Sequence, residues 1–72
     1  MYTYHIYEDP SEESVLRYGI ELSMDNKPVN IIGDISDSKS EIGSLVKLFN
    51  QEELDPIHFE QAIEDYLTDF SV

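Results

Sequence analysis

The spacing of apolar residues changes once along the 72-residue chain, from every second residue in the first half to every third or fourth in the second. Alternation places side chains on the two faces of a strand, whereas the longer spacing places them along one stripe of a helix. Strands that precede helices are typical of α+β domains. The sequence therefore predicts one α+β domain over residues 1–72, a three-stranded antiparallel β-meander followed by two helices packed on one face (βββαα).

Three segments show the strand alternation, over residues 2–7, about 14–24 and about 29–35. Residues 25–28, Asp-Asn-Lys-Pro, have the composition of a tight reversal, which makes the second and third strands antiparallel neighbours. Residues 8–13 place a proline among four acids and a serine, so we expect an exposed turn there.

The third strand contains a glycine in its interior. Strict alternation places Val29, Ile31, Gly33 and Ile35 on one face and Asn30, Ile32 and Asp34 on the other. Because glycine weakens a strand, Gly33 indicates a bulge or the close approach of a packed helix.

Two helices follow, each with a recognisable start. Ser38 and Glu41 have the spacing of a capping box for a helix over about residues 39–50, with Asn50 as its stop. Asp55 can cap a second helix that runs to about residue 70, and Pro56 suits its first position. Each helix carries one apolar stripe.

The balance of charge restricts the partners of this chain. Sixteen acids against four bases give a net charge of −12. Such a surface is repelled by phosphate backbones and anionic lipid, so we expect no direct binding to nucleic acid or membrane and a protein partner with a basic surface. The alternative is that the charge only keeps a small protein soluble. With no signal peptide and no long apolar run, the chain is predicted to be cytoplasmic.

Acids are concentrated near the end of the chain, where residues 52–69 contain no lysine or arginine. Like charges one helical turn apart, as in Glu60/Glu64 and Asp65/Asp69, cost about 0.2–0.5 kcal/mol for each pair. A binding partner that supplies basic groups would relieve this cost. We therefore predict a partner-binding surface made of Glu52, Glu53, Glu60, Glu64, Asp65 and Asp69.

Motifs for catalysis are few. The chain has no cysteine, no glycine-rich phosphate loop and no G-x-S-x-G elbow. His58, three residues after Asp55, is a weak signal for a metal or acid–base site, since a catalytic metal needs about three protein ligands. The string at residues 34–38, D-x-S-x-S, is similar to a Mg²⁺-binding motif, but we interpret it as a strand end followed by a helix cap. The sequence thus predicts no enzyme, no metal and no cofactor.

Several segments together resemble a family of short, uncharacterised acidic proteins of clostridia and related Firmicutes, a domain of unknown function. They are a tyrosine-rich opening strand, Tyr18-Gly19-Ile20, Gly33-Asp34-Ile35-Ser36, Leu45-Val46 followed by Asn50, and Leu54-Asp55-Pro56-Ile57-His58-Phe59 leading into Ile63-Glu64-Asp65-Tyr66-Leu67. The resemblance implies a bacterial cytoplasmic protein of unassigned role. It also makes Asn50, Asp55 and His58, around the helix connection, a candidate motif.

Three functional hypotheses follow. The first is a small acidic interaction or regulatory module that uses the second helix. The second is a nucleic-acid mimic, in which carboxylates about 5–6 Å apart imitate phosphates and occupy a DNA-binding protein. The third is an enzyme with a site around His58 at a dimer interface. The many bulky apolar residues also predict a weak homodimer, or a hetero-partner site, on the outer sheet face or an edge strand.

Overall fold

The computed structural model describes residues 1–10 and 16–70, with all side chains in these ranges except those of Pro10, Leu16, Asp69 and Phe70. Three strands form one antiparallel sheet in the order β1-β2-β3, and two helices follow. The predicted βββαα fold is confirmed. Its elements are β1 (Tyr2–Pro10), β2 (Leu16–Met24), β3 (Lys27–Ser36), α1 (Lys39–Gln51), a 3₁₀ turn (Pro56–His58) and α2 (Phe59–Phe70).

The first strand is longer than predicted. Residues 8–10, predicted as part of an exposed turn, continue β1 and pair with residues 16–18 of β2, so this part of the prediction is wrong. Asp9 lies opposite Arg17, a favourable cross-strand pair. Pro10 fits because an edge strand tolerates a residue without an N–H group. The rest of the predicted turn, 11–13, and the first residues of the predicted second strand, 14 and 15, lie outside the described residues.

A two-residue turn joins β2 to β3. Asp25 and Asn26 have φ values of 52° and 69°. Met24 pairs with Lys27 across the turn. Positive φ at both central residues matches the twist of the two strands. The predicted reversal is therefore present, although Lys27 and Pro28 belong to β3 rather than to the turn.

The glycine-containing part of β3 is irregular, as predicted. Tyr18 pairs with Ser36 and Ile20 pairs with Ile32, so a step of two residues on β2 corresponds to four on β3. The predicted assignment of β3 side chains to faces is wrong because this irregularity breaks the alternation. Ile35 and Ile32 both pack into the core, whereas Ile31 is 45 % exposed.

Both helices cover one face of the sheet and enclose a single core. The ring of Tyr4 packs edge-on against Phe49 of α1 and Phe59 of α2, with ring centroids 5.4 and 5.2 Å away. Neither α1 nor α2 combines the length and the hydropathy that a membrane-spanning helix requires. The buried side chains of the core are Tyr4, Ile20, Leu22, Ile35, Ile42, Phe49, Phe59 and Ile63.

The start of α1 matches half of the predicted capping box. The Glu41 N–H donates to the Ser38 hydroxyl over 3.3 Å. The Ser38 N–H donates to the hydroxyl of Ser36 and not to Glu41. The Glu41 carboxylate instead accepts hydrogen bonds from the hydroxyls of Ser36 and Tyr66, so it connects β3, α1 and α2.

Candidate functional site

The exposed face of α2 is acidic. Glu60, Glu64 and Asp65 are all exposed, and Glu60 and Glu64 lie one helical turn apart. The side-chain amide of Gln61 donates to Asp65 over 3.0 Å, which holds that carboxylate in place. The side chain of Asp69 lies outside the described part of the chain. Three of the four predicted acids of α2 are therefore available to a partner.

The cations of the chain lie elsewhere. Among the described residues, the ion pairs join the N-terminal amine to Asp25, Arg17 to Asp34 and Lys39 to Glu8, at 3.0, 2.6 and 3.5 Å. None of these pairs reaches α2. The like-charge repulsion along α2, about 0.2–0.5 kcal/mol for each pair one turn apart, is thus not offset by a described ion pair.

An open groove of about 310 Å³ lies between α1 and α2. Leu48 is 48 % exposed although it adjoins the apolar stripe of α1. The Tyr66 hydroxyl donates to Glu41 over 2.9 Å and fixes the ring at the α2 side of the groove. Burial raises the pKa of Tyr66, and the hydrogen bond to the Glu41 carboxylate and its negative charge raise it further. The lining residues are Ser40, Glu41, Ser44, Leu45, Leu48 and Tyr66.

Sequence reasoning did not identify this groove. The spacing assigns Leu45 and Tyr66 to the core stripes of their helices, and it places Leu48 at the margin of the first stripe. The sequence contains one signal of the groove: with Leu48 included, the apolar stripe of α1 is wider than the sheet can cover. Where the two helices meet is decided by tertiary packing, which the spacing does not show.

The two acids before α2 hold different positions. Glu52 caps α1, and its N–H donates to the Leu48 carbonyl over 2.9 Å. Glu53 has φ of 50°, and its N–H donates to the carbonyl of Asn50, while the Leu54 N–H donates to that of Phe49. These two bonds form a Schellman motif, which usually has glycine at the left-handed position. Both side chains are exposed, but the backbone of Glu53 serves to end the helix.

Two tyrosines of β1 fasten the helix connection to the sheet. The Tyr2 hydroxyl donates to the Glu53 carbonyl over 2.6 Å, and the Tyr4 hydroxyl donates to the Leu54 carbonyl over 2.7 Å. Burial raises the pKa of Tyr4 to about 12, and the charge that Tyr2 carries once it has ionised and the carboxylate of Asp55 raise it further. Tyr4 is therefore a structural donor whose proton is held tightly.

Asn50, predicted as a helix stop, instead binds the edge of the sheet. The helix continues to Gln51, so the predicted stop is wrong by one residue. The Tyr4 N–H donates to the Asn50 Oδ1 over 2.9 Å, and the Asn50 Nδ2 donates to the Tyr4 carbonyl over 3.0 Å. A neighbouring strand would make this same pair of bonds. Asn50 thus caps the edge of β1.

The other two residues of the candidate motif do not join Asn50 in a site. Asp55 caps the 3₁₀ turn, with the Ile57 N–H donating to its carboxylate over 3.1 Å, and Pro56 begins that turn. The predicted start of α2 at these residues is wrong by three, because α2 begins at Phe59. His58 is exposed, and its N–H donates to the Asp55 carbonyl. No side-chain hydrogen bond or ion pair joins Asn50, Asp55 and His58 to one another, so the structure assigns them three separate positions.

The described residues contain no group of three histidines and carboxylates that could hold a metal ion. Asp34, in the string similar to a Mg²⁺-binding motif, pairs with Arg17, and Ser38 caps α1. These contacts agree with the interpretation of the string as a strand end followed by a cap.

A second open hollow, of about 630 Å³, lies beside β1 and the end of α1 and is lined by Met1, Tyr2, Thr3, Asn50 and Glu53.

Comparison with known proteins places the chain in a family. A family profile matches residues 1–69, almost the whole chain. The chain belongs to DUF6514, a family of unknown function. No curated protein matches it significantly, and neither does any solved structure. The acidic α2 and the groove beside it are therefore interpreted from their own geometry.

Proposed function

We propose that this member of DUF6514 is a non-enzymatic binding module that takes a basic amphipathic helix of a partner protein in the groove between α1 and α2. The observation that carries the proposal is the groove itself. Leu45, Leu48 and Tyr66 line it, and one of its walls is a helix whose exposed acids lack a described cation partner.

The two parts of this surface would contribute differently to binding. Docking of apolar side chains into the groove removes half-exposed Leu48 from water, which is favourable in proportion to the apolar area covered. Glu60, Glu64 and Asp65 do not line the groove, so they would attract lysines or arginines of the partner at longer range. Nucleic acid and anionic lipid are polyanions, which a chain of net charge −12 repels.

We further propose that the module acts in the cytoplasm of clostridia or related Firmicutes. The support is the resemblance of several of its segments to short proteins of those bacteria. His58 is exposed, and its side chain makes no described hydrogen bond or ion pair with Asn50 or Asp55, which supports a role without catalysis.

A designed peptide tests the module. The probe is a synthetic helix of about 18 residues, or five turns, with leucines on one face and lysines elsewhere. Its control has the same composition in an order that scatters the leucines. We expect the amphipathic peptide to bind about tenfold more tightly than the control, a difference of about 1.4 kcal/mol. We also expect it to shift the amide NMR signals of Leu45, Leu48 and Tyr66.

Substitutions distinguish binding in the groove from general attraction between opposite charges. Leu48→Ser should weaken binding of the amphipathic peptide, whereas Val29→Ser, at a similarly exposed apolar residue on β3, should not. The double variant Glu60→Lys/Glu64→Lys should weaken binding and reduce its dependence on salt. Equal binding of the two peptides, or unchanged binding by the Leu48→Ser variant, would show that the groove is not the binding site.

A further inference from the structure

The two edges of the sheet differ in how they are protected. On β1, the Asn50 side chain binds the outward N–H and carbonyl of Tyr4. Tyr4 lies opposite Leu22, and because the N–H and carbonyl of Tyr4 point outward, those of Leu22 point away from β1 and toward Asn30 of β3. The direction of these backbone groups alternates along each strand. Ile31, one residue further, therefore directs its N–H and carbonyl away from the sheet. Among the described residues, no hydrogen bond reaches these outward groups of Ile31.

The same stretch of β3 is apolar and uncharged. Val29 and Ile31 are 57 % and 45 % exposed. Residues 28–33 contain no charged side chain, although the chain has sixteen acids and four bases. An exposed apolar strand edge is a template for pairing with another strand. The acid paired with Ile31, Glu21, belongs to β2 and so lies one strand in from the edge. A second copy of this acidic chain therefore meets less repulsion at this stretch of β3 than at a strand edge that itself carries acids.

The two charges that bound this stretch select the direction of pairing. Lys27 precedes it and Asp34 follows it. Antiparallel pairing about Ile31 runs the two stretches in opposite directions, so the Asp34 end of one copy lies toward the Lys27 end of the other. Parallel pairing in register would place Lys27 beside Lys27 and Asp34 beside Asp34. Opposite charges thus meet only in the antiparallel arrangement.

We propose that β3 pairs with β3 of a second copy, antiparallel and centred on Ile31, to form a six-stranded sheet across a two-fold axis. Ile31 then faces its own counterpart and is removed from water in both copies. The register shifts on either side, near Val29 and near Gly33, limit the paired stretch to a few residues. The dimer is consequently weak and reversible. This surface is separate from the groove between α1 and α2.

Sedimentation equilibrium tests the dimer, with protein from about 10 µM to 1 mM, the range that corresponds to weak association. The matched variants are Ile31→Lys and Ile57→Lys, which replace exposed isoleucines and change the net charge equally. We expect the mass of the natural chain, and of the Ile57→Lys variant, to rise from that of one chain toward that of two. The Ile31→Lys variant should remain a monomer with an unchanged circular dichroism spectrum.

Salt and amide exchange identify the surface. Added salt should strengthen the dimer, because it screens the repulsion between two acidic chains. Amide hydrogen exchange at Ile31 should slow as protein concentration rises. A strict monomer at the highest concentration in high salt would overturn the proposal, as would dimerisation of the Ile31→Lys variant or dimerisation without added protection at Ile31. If the β3 edge bound a strand from a different protein but never a second copy, the chain would remain a strict monomer in this experiment.

Discussion

Asn50 shows that one side chain can take the place of a strand. Its carboxamide presents an acceptor and a donor with the spacing of a peptide group, and both are used by Tyr4. An open strand edge invites pairing with other chains, and proteins block such edges in several ways. Here the end of α1 supplies the block, so the position of the helix and the protection of the sheet depend on one residue.

Replacement of Asn50 by alanine should expose the Tyr4 backbone to solvent. We expect faster amide exchange at Tyr4 and a loss of about 2 kcal/mol in the free energy of unfolding, the usual net value of two such hydrogen bonds. Gln51→Ala, at the next residue of the helix, which is also exposed, is the control; it should leave Tyr4 exchange unchanged and alter the free energy of unfolding by no more than about 0.5 kcal/mol. Unchanged Tyr4 exchange in the Asn50→Ala variant would show that the helix covers the edge without this side chain.

Glu53 occupies a backbone conformation that favours glycine. Its φ of 50° costs a residue with a Cβ about 1–2 kcal/mol. Glu53→Gly should therefore stabilise the fold by about 1 kcal/mol in urea unfolding, after the greater freedom of glycine in the unfolded chain is subtracted. Glu52→Gly is the matched control, since Glu52 has φ of −84° and should lose about 0.4–1 kcal/mol instead. Stabilisation by both substitutions would indicate that charge repulsion, and not φ, dominates at this helix end.

At the scale of the elements, two glycines differ in whether a larger residue can replace them. A Cβ at Gly19 would lie 2.1 Å from the Ile32 carbonyl oxygen, which belongs to the backbone of β3. A Cβ at Gly43, inside α1, would lie 3.6 Å from the tip of Ile6, an ordinary contact.

Gly43→Ala should thus stabilise the protein by about 1 kcal/mol, since alanine favours a helix over glycine. Gly19→Ala should cost several kcal/mol, because β3 must move away from β2 and the buried side chains of both strands lose contact. Thermal unfolding followed by circular dichroism measures both effects. Equal tolerance of the two substitutions would mean that the irregular part of β3 moves at little cost.

Local signals predicted the order of the elements, because each signal acts within a few residues. Asp55 and Pro56 mark a helix start whatever the rest of the chain does. The faces of β3 could not be predicted, since a bulge changes which residues point inward and its size depends on the pairing with β2. The bond between Asn50 and Tyr4 joins residues 46 apart in the chain, and no pattern in either segment contains it. The groove likewise depends on how α1 and α2 meet.

At the scale of the whole molecule, the net charge of −12 favours one of the two proposed interactions and opposes the other. A basic helix in the groove is attracted by the charge, so salt should weaken that complex. A second copy at the β3 edge is repelled, so salt should strengthen that pair. The charge also acts within one chain, where the acids of a compact fold are closer together than those of an unfolded chain.

The stability of the isolated chain should therefore rise with salt. The described ion pairs are largely exposed, and such pairs contribute at most about 1 kcal/mol each, so their loss on screening is small. Between about 10 mM and 1 M salt the screening length falls from about 30 to 3 Å, which removes most of the repulsion among the acids. We expect the melting temperature at micromolar protein to increase over this range. The Glu60→Gln/Glu64→Gln variant should start higher and gain less, because two of the repelling charges are gone. A melting temperature that falls as salt is added would mean that attractive pairs outweigh repulsion, and it would remove the electrostatic reason for a basic partner at α2.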